Sequence, residues 1–174
     1  YVGAAAPTLA AVMRRVTFMT KTRFLELKVP PPVVFVVTAG AMWLLAKAMP
    51  EAGFALPGKK IITGIIAAVG AVIAATAIVS FLRAKTTLHP EDPCKTTTLV
   101  VSGVYTISRN PMYLSLLLVL VSWAVYLSNV EAFVPIPIFV AYMNRFQIIP
   151  EERLLGSLFG SEYAEYRRRV RRWL

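Results

Sequence analysis

The sequence predicts an all-α integral membrane protein with about four transmembrane helices, and three observations carry that prediction. Hydrophobic residues fill 57% of the 174 positions and the mean hydropathy is +0.62, above the roughly half-apolar usage of soluble domains. The excess is gathered into four long runs, 33–49, 61–82, 112–128 and 132–149, each of membrane length. The 19 Lys and Arg outnumber the 9 Asp and Glu, for a net charge of +10, and they lie between and after the apolar runs. In a soluble chain that balance would suggest nucleic acid. Placed as it is, it suits a bilayer with anionic lipid headgroups, and no nucleic acid is expected. A lone cysteine, Cys94, excludes an intrachain disulfide, and no Cys/His cluster of metal-site type occurs, so no metal is expected.

Three regions follow in order. Residues 1–32 form an N-terminal interfacial segment. Its apolar part precedes Arg14-Arg15, the reverse of a secretory signal, and Met13 and Met19 are candidate natural starts. Residues 20–28, TKTRFLELK, mix basic and apolar side chains as a helix in the headgroup layer does. Pro30-Pro31-Pro32 stops that helix, and proline is tolerated in the first turn of the next. Residues 33–84 hold the first two spans. Trp43 and Lys47 anchor the end of the first, and a short Pro/Gly loop leads to the second. In the second span Gly64 with Ala68, and Gly70 with Ala74, are four apart, the spacing that lets helix backbones approach closely.

Residues 85–174 carry the remainder: a polar loop to Asn110, two spans and a C-terminal amphipathic helix. A loop of that length is usually functional or disordered. The connection Asn129-Val130-Glu131 is so short that the third and fourth spans must form an antiparallel hairpin. Pro135 and Pro137 are expected to bend the fourth span. Asn144, Arg145 and Gln147 near its far end are costly in lipid and should face protein or a wet cavity. After Pro150, Leu154, Leu155, Leu158, Phe159, Tyr163, Tyr166, Val170 and Trp173 recur at helical spacing. Gly160 interrupts the pattern, with Ser161 as an N-cap for a second piece. The late arginines, Arg167 to Arg169 with Arg171 and Arg172, read as a solvated face that complements the helix C-terminus and anionic lipid.

With four spans both ends share one side. All but Lys47, Lys59 and Lys60 of the 19 basic residues fall on that side, so the excess of positive charge places the termini and the polar loop in the cytoplasm. On that face three groups of polar residues converge: His89-Pro90 with the loop, the stretch from Tyr105 to Tyr113, and Glu151-Glu152. Arg109 can pair bidentately with a carboxylate, a glutamate can hold an ammonium or hydroxyls, and the close backbone at Gly103 can meet a flat base. Such a set suits a zwitterionic cofactor. Each residue also has a plainer use: Arg109 as a lipid anchor, the glutamates as the start of a helix, the tyrosines as interface aromatics, and His89 as a loop residue.

Two segments sharpen this. LVVSGVYTISRNPMYLS resembles the pattern LVxxGxYxxxRHPxYxG, and PEERLLGSLFGSEYAEYRRRV resembles EE…FGxEYxxYxxRV. Both are motifs of the isoprenylcysteine carboxyl methyltransferase and phospholipid methyltransferase family of membrane enzymes. The resemblance runs over residues 88–173, in the family's order. It implies S-adenosyl-L-methionine bound in a pocket made by the last two spans and the following helix, and a lipid or lipophilic acceptor entering from the bilayer. The matching positions imply His89, Gly103, Tyr105, Arg109, Asn110, Pro111, Tyr113, Glu151 and Glu152 as cofactor-binding residues, with Arg109 and Glu152 as catalytic ones. Two positions depart from the pattern: Asn110 stands for a histidine and Ser115 for a glycine. Asn110 cannot titrate, so a general base at that position is excluded. A non-catalytic lipid-binding scaffold of the same fold and a small-thiol methyltransferase are the rival readings. A sterol reductase would need a nicotinamide pocket, for which the chain is short. Nothing in the sequence bears on oligomeric state.

Overall fold

The protein is described by a computed structural model over residues 26–84 and 98–174. The interfacial segment up to residue 25, His89 and Cys94 lie outside the described residues. Within them the chain is helical, with no extended strand and only two isolated bridges, Gly53 to Asn129 and Ser108 to Arg171.

Helix α1 (Pro31–Ala48) opens on two prolines at its first positions, where a missing N–H costs nothing because it would have no helical acceptor. Helix α2 (Lys59–Ala84) has 26 residues, roughly 39 Å at 1.5 Å per residue, so it exceeds the hydrocarbon thickness. Helix α3 (Pro111–Leu127) has 17 residues and sits at the short limit for a crossing. Both α1 and α2 carry large apolar side chains on their outer faces: Val36, Ile61 and Leu82 are among the exposed ones. Helices apolar all round belong in a bilayer, which agrees with the predicted class.

The α2–α3 contact is the most extensive in the molecule. A side chain at Gly70 would come within 3.3 Å of the Ser115 carbonyl oxygen and 3.4 Å of Leu118, so the close approach expected of this glycine is present. Gly64 differs from its expectation: a Cβ there would meet nothing within 4 Å, because this part of α2 faces outward. Ser122 Oγ donates to the Thr63 carbonyl at 3.0 Å, and Trp123 Nε1 donates to the Ala39 carbonyl at 3.2 Å, tying α3 to both earlier helices.

The chain reverses at Ser128, which is left-handed, and Asn129 caps the 3₁₀ turn Val130–Phe133 by accepting from the Glu131 N–H. Helix α4 (Pro135–Met143) then returns, burying Phe139 and Met143 with Leu120 and Ala124 of α3 and Met42 of α1. This is the predicted hairpin. Pro135 lies in the first turn of α4, so there it starts a helix.

Pro150 does not separate the fourth span from the C-terminal helix. Helix α4 passes through one π-helical turn (Asn144–Ile148) straight into α5 (Ile149–Arg169). Proline removes the N–H that would bond the carbonyl four residues back, and that carbonyl, on Phe146, instead accepts from the Leu27 N–H at 3.0 Å. The freed acceptor is thus taken by the segment just before α1, and Gln147 Nε2 adds a bond to the Val29 carbonyl at 2.7 Å. The break comes at Gly160, with φ 51 and ψ −118, as the interrupted periodicity predicts. Beyond it Tyr163, Tyr166 and Val170 bury against Leu99.

Candidate active site

The stretch after residue 98 turns at Gly103, whose φ is +64 and where a Cβ would lie 3.0 Å from Ser80 Oγ of α2. Both the left-handed backbone and the close approach require glycine. Gly103 lies outside the cavity wall; its role is to bring the loop onto α2. Tyr105 follows, buried, with its ring edge-on to Phe81 at 5.5 Å. Its carbonyl accepts from the Tyr166 hydroxyl at 2.8 Å. Burial raises the Tyr105 phenol well above its ordinary range, and Tyr166 and Glu151 add to the effect, so the group stays neutral.

Between this loop, the start of α1, α2, α3 and α5 lies a cavity of about 460 Å³, within the roughly 300–1,000 Å³ of small-molecule sites. Seven of the nine sequence-derived candidates line it: Tyr105, Arg109, Asn110, Pro111, Tyr113, Glu151 and Glu152. One side is apolar, formed by Pro31, Pro32, Ala74, Phe81 and Leu116. The other is charged.

The charged side is built on Glu152, which is buried at 8% exposure. Its Oε1 lies 3.1 Å from Arg109 Nη2. Arg172 grips the same carboxylate through both oxygens, Nε to Oε1 at 3.0 Å and Nη2 to Oε2 at 2.8 Å. The one positive charge left by that trio is offset by Glu151 on the same cavity wall. The hydrogen bond to Glu152 raises Arg172 above its ordinary value. The Arg109 side chain is 10% exposed, and its Nε and Nη1 make no hydrogen bond of good geometry, although the guanidinium lies near the Tyr163 hydroxyl and favours its charged form. Buried donors are rarely left so, since each costs about 1–3 kcal/mol. Arg109 stands on the cavity wall, so its guanidinium is a cationic group there whose hydrogen-bonding capacity the protein leaves incompletely used. Next to it, the Tyr113 hydroxyl donates to Glu151, holding the second carboxylate of the pair.

Sequence reading missed the C-terminal tail. Arg172 was grouped with a solvated arginine face; Arg167, Arg168, Arg169 and Arg171 are indeed exposed, but Arg172 turns inward to Glu152. The backbone runs alongside the loop through a parallel bridge, Ser108 to Arg171, and the Arg109 N–H donates to the Arg171 carbonyl at 3.0 Å. Asn110 Nδ2 donates to the Arg172 carbonyl at 2.9 Å. The residue that departs from the histidine pattern thus fastens the tail. Trp173 Nε1 reaches Asn144 Oδ1 at 3.1 Å in the π turn. Tyr163, Tyr166 and Leu155 also line the cavity. Tyr163 and Tyr166 are the two tyrosines of the EYxxYxxRV motif, and Leu155 belongs to the apolar stripe of α5. Among the described residues no cluster of metal-ligating side chains occurs.

Comparison with known proteins agrees with this architecture. The sequence profile of the phospholipid methyltransferase family matches residues 59–162, well over half of the chain. An uncharacterised protein of Haemophilus influenzae is 51% identical over 63 residues, which is 36% of this chain and the whole of that protein. No solved structure matches the chain.

Proposed function

The chain belongs to the phospholipid methyltransferase family, and on that premise we propose that it is an S-adenosyl-L-methionine-dependent methyltransferase acting on a lipophilic acceptor, a phospholipid amine or an isoprenylcysteine-type carboxylate, at the cytoplasmic membrane face. The observation that carries this reading is Arg109: a largely buried cation on a cavity wall whose hydrogen-bonding capacity the protein leaves incompletely used. The cofactor's amino-acid arm presents a carboxylate of matching charge and planarity.

When bound, the cofactor supplies an electrophilic sulfonium methyl, and transfer from it depends chiefly on alignment. The chain's own residues provide that alignment. Arg109 holds the carboxylate. Glu151, oriented by Tyr113, offers a negative charge to the neighbouring ammonium. Glu152 is engaged by two guanidiniums, so its role is to aim Arg109 rather than to take a proton. The apolar wall from Pro31 and Pro32 to Ala74, Phe81 and Leu116 suits a hydrocarbon chain and keeps water from the reacting centre. An acceptor carboxylate arrives ionised and needs no base; an acceptor amine would pass its proton to a carboxylate of the wall, for which Glu151 is the candidate. The cytoplasmic placement follows from the basic residues gathered at this end.

Incubating the purified protein with methyl-labelled cofactor and a total membrane extract tests the proposal. Label should enter the lipid fraction. Incorporation no greater than with heat-killed protein would favour the scaffold reading, and label in water-soluble thiols would favour the small-thiol one.

A further inference from the structure

Arg172 lies beyond the stretch that matches the family profile, and in the sequence nothing separates it from the exposed arginines beside it. Its guanidinium occupies Glu152 Oε2 at 2.8 Å and shares Oε1, at 3.0 Å, with Arg109 Nη2 at 3.1 Å. We propose that Arg172 is a positioning residue: by holding Glu152 it keeps Arg109 bound to that carboxylate through one nitrogen only, so that the rest of the Arg109 guanidinium stays available to the carboxylate of a ligand.

Arg109 and Arg172 compete for the two Glu152 oxygens. A guanidinium next to a free carboxylate prefers the two-bonded, fork-to-fork arrangement. With Arg172 in place, Glu152 Oε2 is taken and Arg109 reaches only Oε1. Without it, Oε2 opens, Arg109 can close on both oxygens, and less of its guanidinium is left for a ligand. The charge changes as well. With Glu151 counted, the charges of Arg109, Arg172, Glu151 and Glu152 sum to zero; without Arg172 they sum to one negative charge, which repels the carboxylate of a ligand. The tail itself does not depend on this side chain, because the Arg172 carbonyl holds Asn110 Nδ2 at 2.9 Å and the Arg171 carbonyl holds the Arg109 N–H at 3.0 Å. A substitution at Arg172 therefore changes the guanidinium while keeping the backbone pairing.

The inference rests on the cofactor reading above, and two ligands separate the two. S-adenosylhomocysteine carries the amino-acid arm; methylthioadenosine has the same nucleoside and lacks the arm. Both are titrated into the full chain in detergent, as wild type, R172Q and R172K. R172Q should weaken S-adenosylhomocysteine about tenfold, the scale of one charge-assisted hydrogen bond, and leave methylthioadenosine unchanged. R172K, which keeps the charge without the fork, should recover part of the loss. Equal weakening of both ligands would show a merely structural role and overturn the proposal, as would unchanged S-adenosylhomocysteine affinity in R172Q. Wild-type protein that binds neither ligand would overturn the cofactor reading and this proposal with it.

Discussion

The two ends of the helical bundle use similar residues to opposite effect. At one end, around 49–59 and 126–131, polar groups close on one another. Asn129 is buried, donates to the Met49 carbonyl at 2.7 Å and accepts from the Glu131 N–H at 2.9 Å. The Phe54 N–H takes the Ser128 carbonyl, and Lys59 Nζ reaches the Tyr126 carbonyl. Asn129 has its donor and its acceptor in use, and the result is a turn. At the other end the Arg109 side chain, less deeply buried than Asn129, keeps two donors unpaired, and Glu152 carries two cations. A buried polar cluster that satisfies itself is a structural joint. One that leaves a cation incompletely paired on a cavity wall marks a candidate ligand site.

That contrast can be broken or sharpened by substitution. The largest effect is expected for Glu152→Ala. It leaves the Arg109 charge buried without its counter-ion, a loss of roughly 3–5 kcal/mol, read as a fall in thermal stability in detergent. Next is Arg109→Ala, which should lower methyl transfer at least about a hundredfold, the scale of lost positioning, with the folded helical content retained. Asn129→Ala at the opposite end should invert this pattern. It should cost roughly 1–3 kcal/mol of stability through the Met49 and Glu131 groups left unpaired, while the activity of the folded fraction stays near wild type. Smallest is Gly103→Ala, about 1–2 kcal/mol for a left-handed residue gaining a Cβ, with a further shift where that atom meets Ser80. If Asn129→Ala abolished transfer while Arg109→Ala did not, the division between joint and site would be wrong.

The parts of this arrangement visible in the sequence are those set by local periodicity. Four apolar runs, the short turn at Asn129 and the interruption at Gly160 follow from hydropathy and glycine placement, because each depends on residues close in the chain. The convergence of Arg109 with Glu151-Glu152 was also legible, since a tight α3–α4 hairpin leaves the start of α3 and the end of the fourth span on one side. What stayed hidden depends on contacts between distant segments. Arg172 is chemically identical to its neighbours, and only the docking of the tail beside Ser108 selects it. Pro150 reads as a helix end, yet the helix continues because Leu27 supplies a donor from across the molecule for the Phe146 carbonyl. Gly103 looked like part of a cofactor cradle; its demand comes instead from its own positive φ and from Ser80 on α2.

In the proposed site Arg109 receives the carboxylate of S-adenosyl-L-methionine. Calorimetric titration of that cofactor into the detergent-solubilised chain, wild type and Arg109→Ala side by side, tests it most directly. The claim predicts saturable one-to-one binding to the wild type and its loss in the variant. A variant that binds as tightly as the wild type, or a wild type that gives no binding heat and no competition by the demethylated product, would contradict it.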